Sequence, residues 1–322
     1  MKASTSSYPS QERHLVGVSG GVDSRVLLHL LPMIGFPDLV VCHLNHNLRG
    51  TESTEDSKFV SVLARRLGLP LHLETLAELP ETGSLESAAR EARLQCFARA
   101  AENFSTSSLL LAHHADDQVE TFLFNLFRGT GSLDNASIKA QSQITVGTRK
   151  LWVRHPLLQV WKEEIYQFAT AYSLEFREDS TNLSRQMVRN RFRHDLIPEI
   201  ERVMGRPVRR ALLRTIELAA SEGEFLRSLV PEVESQQAEL DLEALRKLPL
   251  VIQRRTILSW LRHHKIKDSG FDEIEAVRSL LDHLNIAKVN LPGGVFCRRR
   301  AGRLFLQLPG DSSEAKLGND VA

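Results

Sequence analysis

The residues best suited to chemistry form the hexapeptide SGGVDS, residues 19–24, between an apolar run and a leucine-rich stretch. A strand that leads through glycines into a helix is a phosphate-binding arrangement, because backbone N–H groups and the helix N-terminus attract negative charge. Its two glycines let the backbone approach a ligand closely, and its two serines add hydroxyl donors. The loop lacks the Gly-Lys-Ser/Thr ending of a Walker A motif, which argues against the usual kinase or GTPase interpretation.

Asp23 is unexpected in a loop that binds anions. A carboxylate beside a polyphosphate is explained if it holds a Mg²⁺ ion that bridges the phosphates. The alternative is a strand–turn–helix in which Asp23 only caps its helix. The complete hexapeptide directly after a strand favours the ligand site over this structural alternative.

A second group of polar residues lies in "HHADDQVET", residues 113–121. Asp117 and Glu120 are three positions apart at a predicted helix start, so they share one helix face. His113 and His114 follow a predicted strand, where open α/β sheets bind ligands. The two carboxylates could bind an ammonium group or help to hold a metal ion. The alternative, which applies equally to Asp116, is that the aspartates complement the helix dipole.

Basic residues form two clusters in the second half of the chain. One contains Arg189, Asn190, Arg191 and Arg193, and arginine forks suit phosphate and carboxylate groups. The other, 298–300, lies on a predicted hairpin where it could contact a nucleic-acid backbone. A solvated basic face is the alternative for both. By contrast, we predict that His43, His46 and the three tryptophans (Trp152, Trp161 and Trp260) belong to the core.

The elements that must position these residues alternate between short apolar runs and helical patterns up to about residue 150. The apolar runs begin near residues 14, 39, 70 and 107, and helical spacing separates them, as in 56–68 and 84–104. This alternation predicts an α/β fold with a doubly wound, mainly parallel sheet. A long amphipathic helix over 207–230 predicts the start of a smaller, mainly helical domain that ends in a short β-hairpin near residues 288–308.

The chain of 322 residues is long enough for at least two domains, and its net charge of +1 restricts any nucleic-acid surface to a local patch. We predict an N-terminal domain over 1–203, a mainly helical C-terminal domain over 204–310 and a disordered tail over 311–322. The three cysteines are scattered and form no C-x-x-C motif. Without a signal-like or membrane-spanning apolar run, we expect a cytoplasmic protein with no membrane partner.

The hexapeptide resembles the pyrophosphate loop of the N-type ATP pyrophosphatases, which cleave ATP between its α- and β-phosphates. Within that PP-loop superfamily, four further segments resemble the tRNA(Ile)-lysidine synthetases: "HLNHNLRGTESTEDSKFV" (43–60), "LLAHHADDQVETFLFNLFRGTG" (110–131), "REDSTN" (177–182) and "RNRFRHDLIP" (189–198). With "LPGGVFCRRRAGRLFL" near the end, the resemblance covers nearly the whole chain. It is to the short form of the family, which lacks the last C-terminal domain.

The resemblance implies a carbon–nitrogen ligase that uses ATP and Mg²⁺ to attach free L-lysine to carbon 2 of the wobble cytidine of a minor isoleucine tRNA. It implies that ATP is bound by Ser19, Gly20, Gly21, Val22, Asp23 and Ser24, with Asp23 also holding the metal. It assigns catalytic roles to Asp23, Asp117, Glu120 and Arg93. For lysine or tRNA contacts it points to Asp117, Glu120, Arg189, Asn190, Arg191 and Arg193. The resemblance also implies that the C-terminal domain over 204–310 contacts the tRNA. Whether the protein forms a homodimer stays open.

The sequence departs from the family pattern at Leu94, at Ser184 and over 132–137. These departures concern lysine and tRNA contacts rather than the ATP loop. Two other functions stay open. The first is tRNA thiolation, which would require paired catalytic cysteines or an iron–sulfur site. The second is a non-catalytic ATP-sensing tRNA-binding module, which would bind ATP without releasing pyrophosphate.

Overall fold

The computed structural model describes residue 8 and residues 11–48, 50–77, 85–129, 137–177, 188–231, 237–266, 269–282 and 285–309. The predictions for 132–136, Ser184 and the tail therefore lie outside the described residues. The chain divides into two compact units. The first comprises 1–124 and 137–213, and the second comprises 125–136 and 214–322. The predicted domain boundary at 203/204 stays a prediction.

The first unit is built on a six-stranded sheet with the order β3-β2-β1-β4-β6-β5. Its strands are β1 His14–Gly17, β2 Leu39–Asn45, β3 Leu71–Thr75, β4 Ser108–Leu110, β5 Gln141–Val146 and β6 Arg149–Arg154. The pairs that join β3, β2, β1, β4 and β6 are parallel, and β5 pairs with β6 in the antiparallel sense. The predicted mainly parallel sheet is confirmed.

Helices cover both faces of this sheet. They are α1 Val22–Met33, α2 Thr51–Arg66, α3 Leu85–Asn103, α4 Ala115–Phe127, α5 Lys162–Ala171, α6 Val188–Arg191 and α7 Ile197–Met204, with a π-helical turn at Phe192–Leu196. Val16 and Val41 pack in a core with α1, α2 and α5, whereas their neighbours Leu15 and Val40 pack in another core with α3. Successive strand residues point to opposite faces, so the apolar runs serve two cores.

The hairpin β5–β6 is a feature that the sequence analysis did not predict. Its signal is the two-residue turn Gly147-Thr148 between two short runs, 144–146 and 151–153, that are rich in β-branched and apolar residues. Gly147 has a φ of 59°, the left-handed conformation that such tight turns require. The hairpin adds the antiparallel edge strand β5 to an otherwise parallel sheet.

The residues predicted to belong to the core differ in their burial. Trp260 is fully buried, and His43 is buried with its Nδ1 2.7 Å from the Val18 carbonyl oxygen, as predicted. Trp161 and His46 are half-buried. The core prediction for Trp152 is wrong, because that side chain is 36% exposed on a strand near the edge of the sheet.

The second unit combines helices with a four-stranded antiparallel sheet. Its helices are α8 Arg209–Ser228, which begins in the first unit, α9 Leu242–Lys247, α10 Leu250–His263 and α11 Phe271–Asp282. Its strands are β7 Glu239–Asp241, β8 Lys288–Leu291, β9 Val295–Arg300 and β10 Arg303–Gln307, in the order β7-β10-β9-β8. The predicted hairpin is therefore part of a larger sheet, whose core includes Trp260 and Cys297.

Among the described helices, none combines the length and the apolar character needed to cross a membrane.

Candidate active site

The hexapeptide spans the turn after β1 and the first three residues of α1, as predicted. Gly20 has a φ of 95°, a left-handed conformation that side chains with a Cβ rarely adopt. The Ser24 hydroxyl donates to the Gly21 carbonyl oxygen at 3.0 Å, and it accepts from the Ser19 N–H at 3.2 Å. Gly21 caps α1 without a side-chain hydrogen bond, which leaves N–H groups of the first helical turn for a ligand. The loop is thus held by its own serines and offers amides to an anion.

The loop after β4 lies next to this turn because β4 pairs with β1. Its His114 is 2% exposed, and its Nε2 lies 3.8 Å from Asp23 and 3.4 Å from Asp117. The backbone N–H of His114 donates to Asp117 Oδ2 at 3.0 Å, at the start of α4. The structure therefore brings these residues together at the carboxyl ends of neighbouring strands, where ligands bind in open α/β sheets.

Asp117 and Glu120 face the same arginine, Arg193, in the π-helical turn. The Arg193 guanidinium donates to both oxygens of Glu120, at 2.6 and 3.1 Å, and to Asp117 at 3.3 Å. The Glu120 side chain is only 4% exposed. π-Helical turns are rare and often occur at functional sites, since the extra residue redirects a side chain. Asp117 and Glu120 therefore lie on the same face of α4, as predicted.

Burial and charge act differently on the two carboxyl groups. Burial raises the pKa of Glu120 to about 7, although the hydrogen bond and charge of Arg193 oppose the rise. Burial would also raise the pKa of Asp117, but the histidines beside it, the His114 N–H and Arg193 outweigh burial and lower it. The pair therefore holds an ionised Asp117 beside a Glu120 whose charge is sensitive to pH near neutrality.

Two of the predicted arginines lie near His113, in the loop after β4. Arg93 on α3 and Arg189 on α6 are both exposed, and the charge of each contributes to lowering the pKa of His113. Burial is the larger cause, and it brings the His113 pKa down to about 3. Asn190 is buried, whereas Arg191 is exposed. Within the part of the chain that the structure describes, no contact assigns Arg191 to the site.

Lys162, the first residue of α5, was missed from the sequence. Its ammonium lies 2.7 Å from each carboxylate oxygen of Asp23, and its backbone N–H donates to Asp116 Oδ2 at 2.9 Å. Arg209 of α8 donates to the other oxygen of Asp116 at 2.9 Å, so Asp116 joins two helices rather than only serving the dipole of α4. A lysine at a helix N-terminus opposes the dipole, and that is the signal which sequence analysis could have used.

The groups that could hold a metal ion fall in two places. Asp23 can offer its carboxylate once the Lys162 ammonium moves away. Elsewhere among the described residues, ligand atoms of His72, Glu74 and Cys96 lie within 4.8 Å of one another. Arg99 already donates to both oxygens of Glu74, and its positive charge opposes a cation there. Asp23 is thus the better candidate of the two.

Two family models match most of the chain. A PP-loop domain model matches residues 2–200, and a model of the TilS substrate binding domain matches residues 240–305. The tRNA(Ile)-lysidine synthase of Thermosynechococcus vestitus is 36% identical over 300 residues, covering 90% of this chain and 85% of that protein. The chain belongs to the tRNA(Ile)-lysidine synthase family. The tRNA(Ile)-lysidine synthase of Geobacter sulfurreducens is 35% identical over 89% of this chain. The chain spans 63% of the length of that relative.

The fold has a solved counterpart outside the lysidine synthases. The U34-tRNA thiolase NcsA from Methanococcus maripaludis, solved with its [4Fe-4S] cluster, superimposes with a TM-score of 0.52 at 18% identity. The match covers 66% of this chain and 72% of the thiolase. At this identity the likeness establishes a shared PP-loop fold and carries no statement about the reaction.

Proposed function

We propose that this protein ligates lysine to carbon 2 of the wobble cytidine of a minor isoleucine tRNA, with ATP converted to AMP and pyrophosphate. The observation that carries the proposal is the position of Asp117, Glu120 and Arg193 beside the phosphate loop, in a member of the lysidine synthase family. A pair of carboxylates next to a nucleotide site suits a cationic amino acid that must meet an adenylated base.

The proposed reaction has two steps. The carbonyl oxygen at carbon 2 of the cytosine attacks the α-phosphate, and the bond to the β-phosphate breaks. Pyrophosphate leaves towards the loop formed by residues 19–24, where the N-terminus of α1 stabilises its charge. The ε-amine of lysine, in its neutral form, then attacks carbon 2, and AMP leaves with the oxygen it had activated.

The residues of the chain mainly bind and orient the reactants. Asp117 and Glu120 would hold the α-ammonium group of lysine, because Arg193 fixes the positions of both carboxylates. Mg²⁺ on Asp23 would neutralise the phosphates. Most of the rate enhancement then comes from positioning and electrostatic stabilisation. The residues that would contact tRNA or developing negative charge are Arg93, Arg189, Asn190 and Arg191.

Thiolation is the weaker alternative. Cys42 and Cys96 are buried in the core between α3 and the sheet, with their sulfur atoms 3.8 Å apart, and Cys297 is buried in the second unit. Burial raises the pKa of Cys297 to about 12, which disfavours the nucleophilic thiolate. These positions suit packing rather than sulfur transfer.

The test is pyrophosphate release from ATP, measured with tRNA transcripts and each of the twenty amino acids. We expect release to require an isoleucine tRNA with a wobble cytidine, and stable product to require lysine. Asp23→Asn should remove release while the thermal unfolding curve stays close to that of the wild type. Release that is indifferent to tRNA, or a stable product with another amino acid, would reject the proposed substrates. ATP binding without any release would favour the sensing module.

A further inference from the structure

Lys162 and Asp23 form an ion pair at the mouth of the phosphate loop. The ammonium lies 2.7 Å from both carboxylate oxygens, and the two side chains are 27% and 30% exposed. A pair that is partly exposed can open at modest cost, since solvent stabilises both separated charges. The pair is therefore accessible to a ligand that enters the loop.

The position of the lysine is fixed by its helix. The Lys162 N–H donates to Asp116, and the Tyr166 ring, one turn further along α5, lies 5.3 Å from the ammonium. A cation in the first turn opposes the dipole of its own helix, so helix stability does not explain a lysine here. The ammonium is instead directed across to the second residue of α1.

The charges of the loop require such a cation. A polyphosphate would bring several negative charges to a turn that already contains Asp23, and like charges a few ångströms apart repel strongly. In the structure the Asp23 carboxylate is neutralised by Lys162. An ammonium that can move from this carboxylate to a phosphate oxygen keeps the loop neutral before binding and attracts the anion during binding.

We propose that Lys162 is a phosphate-binding residue of the nucleotide site, which pairs with Asp23 in the free protein and binds the phosphates that leave as pyrophosphate. The inference rests on the proposed function, because it assumes that ATP occupies the loop. It adds a residue from α5 to the loop residues 19–24. In the bound state, Lys162 then connects the start of α5 to the phosphates through its ammonium group.

The experiment measures Mg²⁺-free binding of pyrophosphate, ATP and AMP by calorimetry. For Lys162→Met we expect the dissociation constants for pyrophosphate and ATP to rise by about tenfold or more, because a charge-assisted hydrogen bond to a phosphate oxygen can no longer form. AMP binding should change by less than about twofold, since AMP lacks the two phosphates concerned. Lys162→Arg keeps the charge and should retain most of the affinity.

Lys150→Met is the matched control. Lys150 is an exposed lysine on β6 of the same sheet, and its replacement should leave all three affinities unchanged. Thermal unfolding of each variant checks the fold. If Lys162→Met does not fold, Lys162→Gln makes the same comparison with a polar side chain.

A second comparison separates binding of phosphate from simple neutralisation of Asp23. In an Asp23→Asn background the carboxylate charge is gone, and Lys162→Met should still weaken pyrophosphate binding by a similar factor. If the effect of Lys162→Met disappears in this background, Lys162 acts only on Asp23 and the proposal is wrong. An equal weakening of AMP and pyrophosphate binding would also overturn it.

The failure of this inference can be told apart from failure of the proposed function. A wild-type protein that binds neither ATP nor pyrophosphate has no nucleotide site in the loop, and both proposals fall. A wild-type protein that binds ATP and releases pyrophosphate, together with Lys162→Met affinities equal to those of the wild type, leaves the function in place and removes Lys162 from it.

Discussion

Under the proposed function, Glu120 would set a condition for the binding of lysine. It is almost fully buried, receives two hydrogen bonds from Arg193 and has its pKa raised by burial to about 7. A cationic substrate would stabilise its ionised form, so lysine binding and deprotonation of Glu120 should favour each other. The spacing from Asp117, together with the resemblance to the lysidine synthetases, predicted this carboxylate as a site residue, whereas its protonation depends on burial in the folded protein.

The first prediction concerns the use of lysine. Glu120→Gln should raise the Michaelis constant for lysine by about tenfold or more while that for ATP changes little, because a charged partner of the ammonium group is replaced by a neutral amide. Steady-state pyrophosphate release at varied lysine and at varied ATP separates the two constants. Glu102→Gln, at a glutamate whose side chain is 66% exposed, is the control. A rise confined to the ATP constant would identify Glu120 as part of the metal site instead.

The second prediction concerns pH and His113. Burial lowers the His113 pKa from 6.5 to about 3, so between these pH values the histidine is protonated in the unfolded chain and neutral in the folded protein. This contribution to stability is present above pH 6.5 and is lost as the pH falls towards 3. His113→Gln should therefore lose less unfolding free energy between about pH 7 and pH 5 than the wild type, as measured by urea denaturation. His263→Gln, at an exposed histidine on α10, is the control.

The pKa of Glu120 is shifted upwards, so its contribution to stability changes with pH in the opposite direction to that of His113, which gives an internal check. Its folded pKa of about 7 lies above the usual 4.5, so its contribution to stability is present below pH 4.5 and is lost as the pH rises through 7. Glu120→Gln removes that contribution, and the variant should lose more stability on acidification than the wild type. Parallel pH profiles for the wild type and both variants would contradict the assignment of these shifts.

At the scale of elements, side-chain hydrogen bonds connect four strands of the six-stranded sheet. His14 of β1 lies 2.6 Å from the Ser108 hydroxyl of β4, and Arg154 of β6 donates to the same hydroxyl at 2.6 Å. Arg154 also donates to Gln141 of β5 at 3.1 Å. Buried polar groups are costly unless they are paired, so this chain of hydrogen bonds helps to fix the neighbours of β4.

The third prediction tests this connection. Ser108→Ala should lower the free energy of unfolding by about 1–3 kcal/mol, because it removes the hydroxyl shared by His14 and Arg154 and leaves buried polar atoms without that partner. Chemical denaturation provides the measurement. Ser107→Ala removes the exposed hydroxyl of the preceding residue and should change stability by less than about 0.5 kcal/mol. Equal effects at the two serines would contradict the role of the buried hydroxyl.

The elements also mark what sequence could and could not predict. Apolar runs and glycines were sufficient for β1, α1 and the parallel sheet, because these signals are local. The hairpin β5–β6 was missed because β6 contains Arg149, Lys150 and Arg154, and a buried arginine such as Arg154 is acceptable only with partners on neighbouring strands. A lysine at a helix N-terminus could have marked Lys162 as unusual, but its partner Asp23 is 139 positions away, so no local pattern could predict the pair.

At the scale of the whole molecule, charge is balanced, with 41 basic and 40 acidic residues. Under the proposed function, attraction of tRNA would therefore come from local basic surfaces rather than from net charge. The structure divides the cluster 298–300 between the two faces of β9. Val295 and Cys297 face the core, and by alternation Arg299 points the same way, where it donates to the Leu280 carbonyl oxygen of α11 at 2.9 Å.

The fourth prediction follows from this division. Arg298 and Arg300 alternate with Cys297 and Arg299 and so lie on the opposite face of β9, where Lys288 pairs across from Arg298. Arg300 is exposed and Arg298 is half-buried, and we expect these two arginines of the cluster to meet phosphates. Arg298→Ala/Arg300→Ala should weaken tRNA binding and reduce the log–log salt slope by roughly 0.7–0.9 for each phosphate that the protein no longer neutralises. Arg299→Ala should lower the melting temperature and leave the slope unchanged. Affinities at several salt concentrations distinguish these results, and an unchanged slope in the double variant would leave Arg298 and Arg300 as a solvated face.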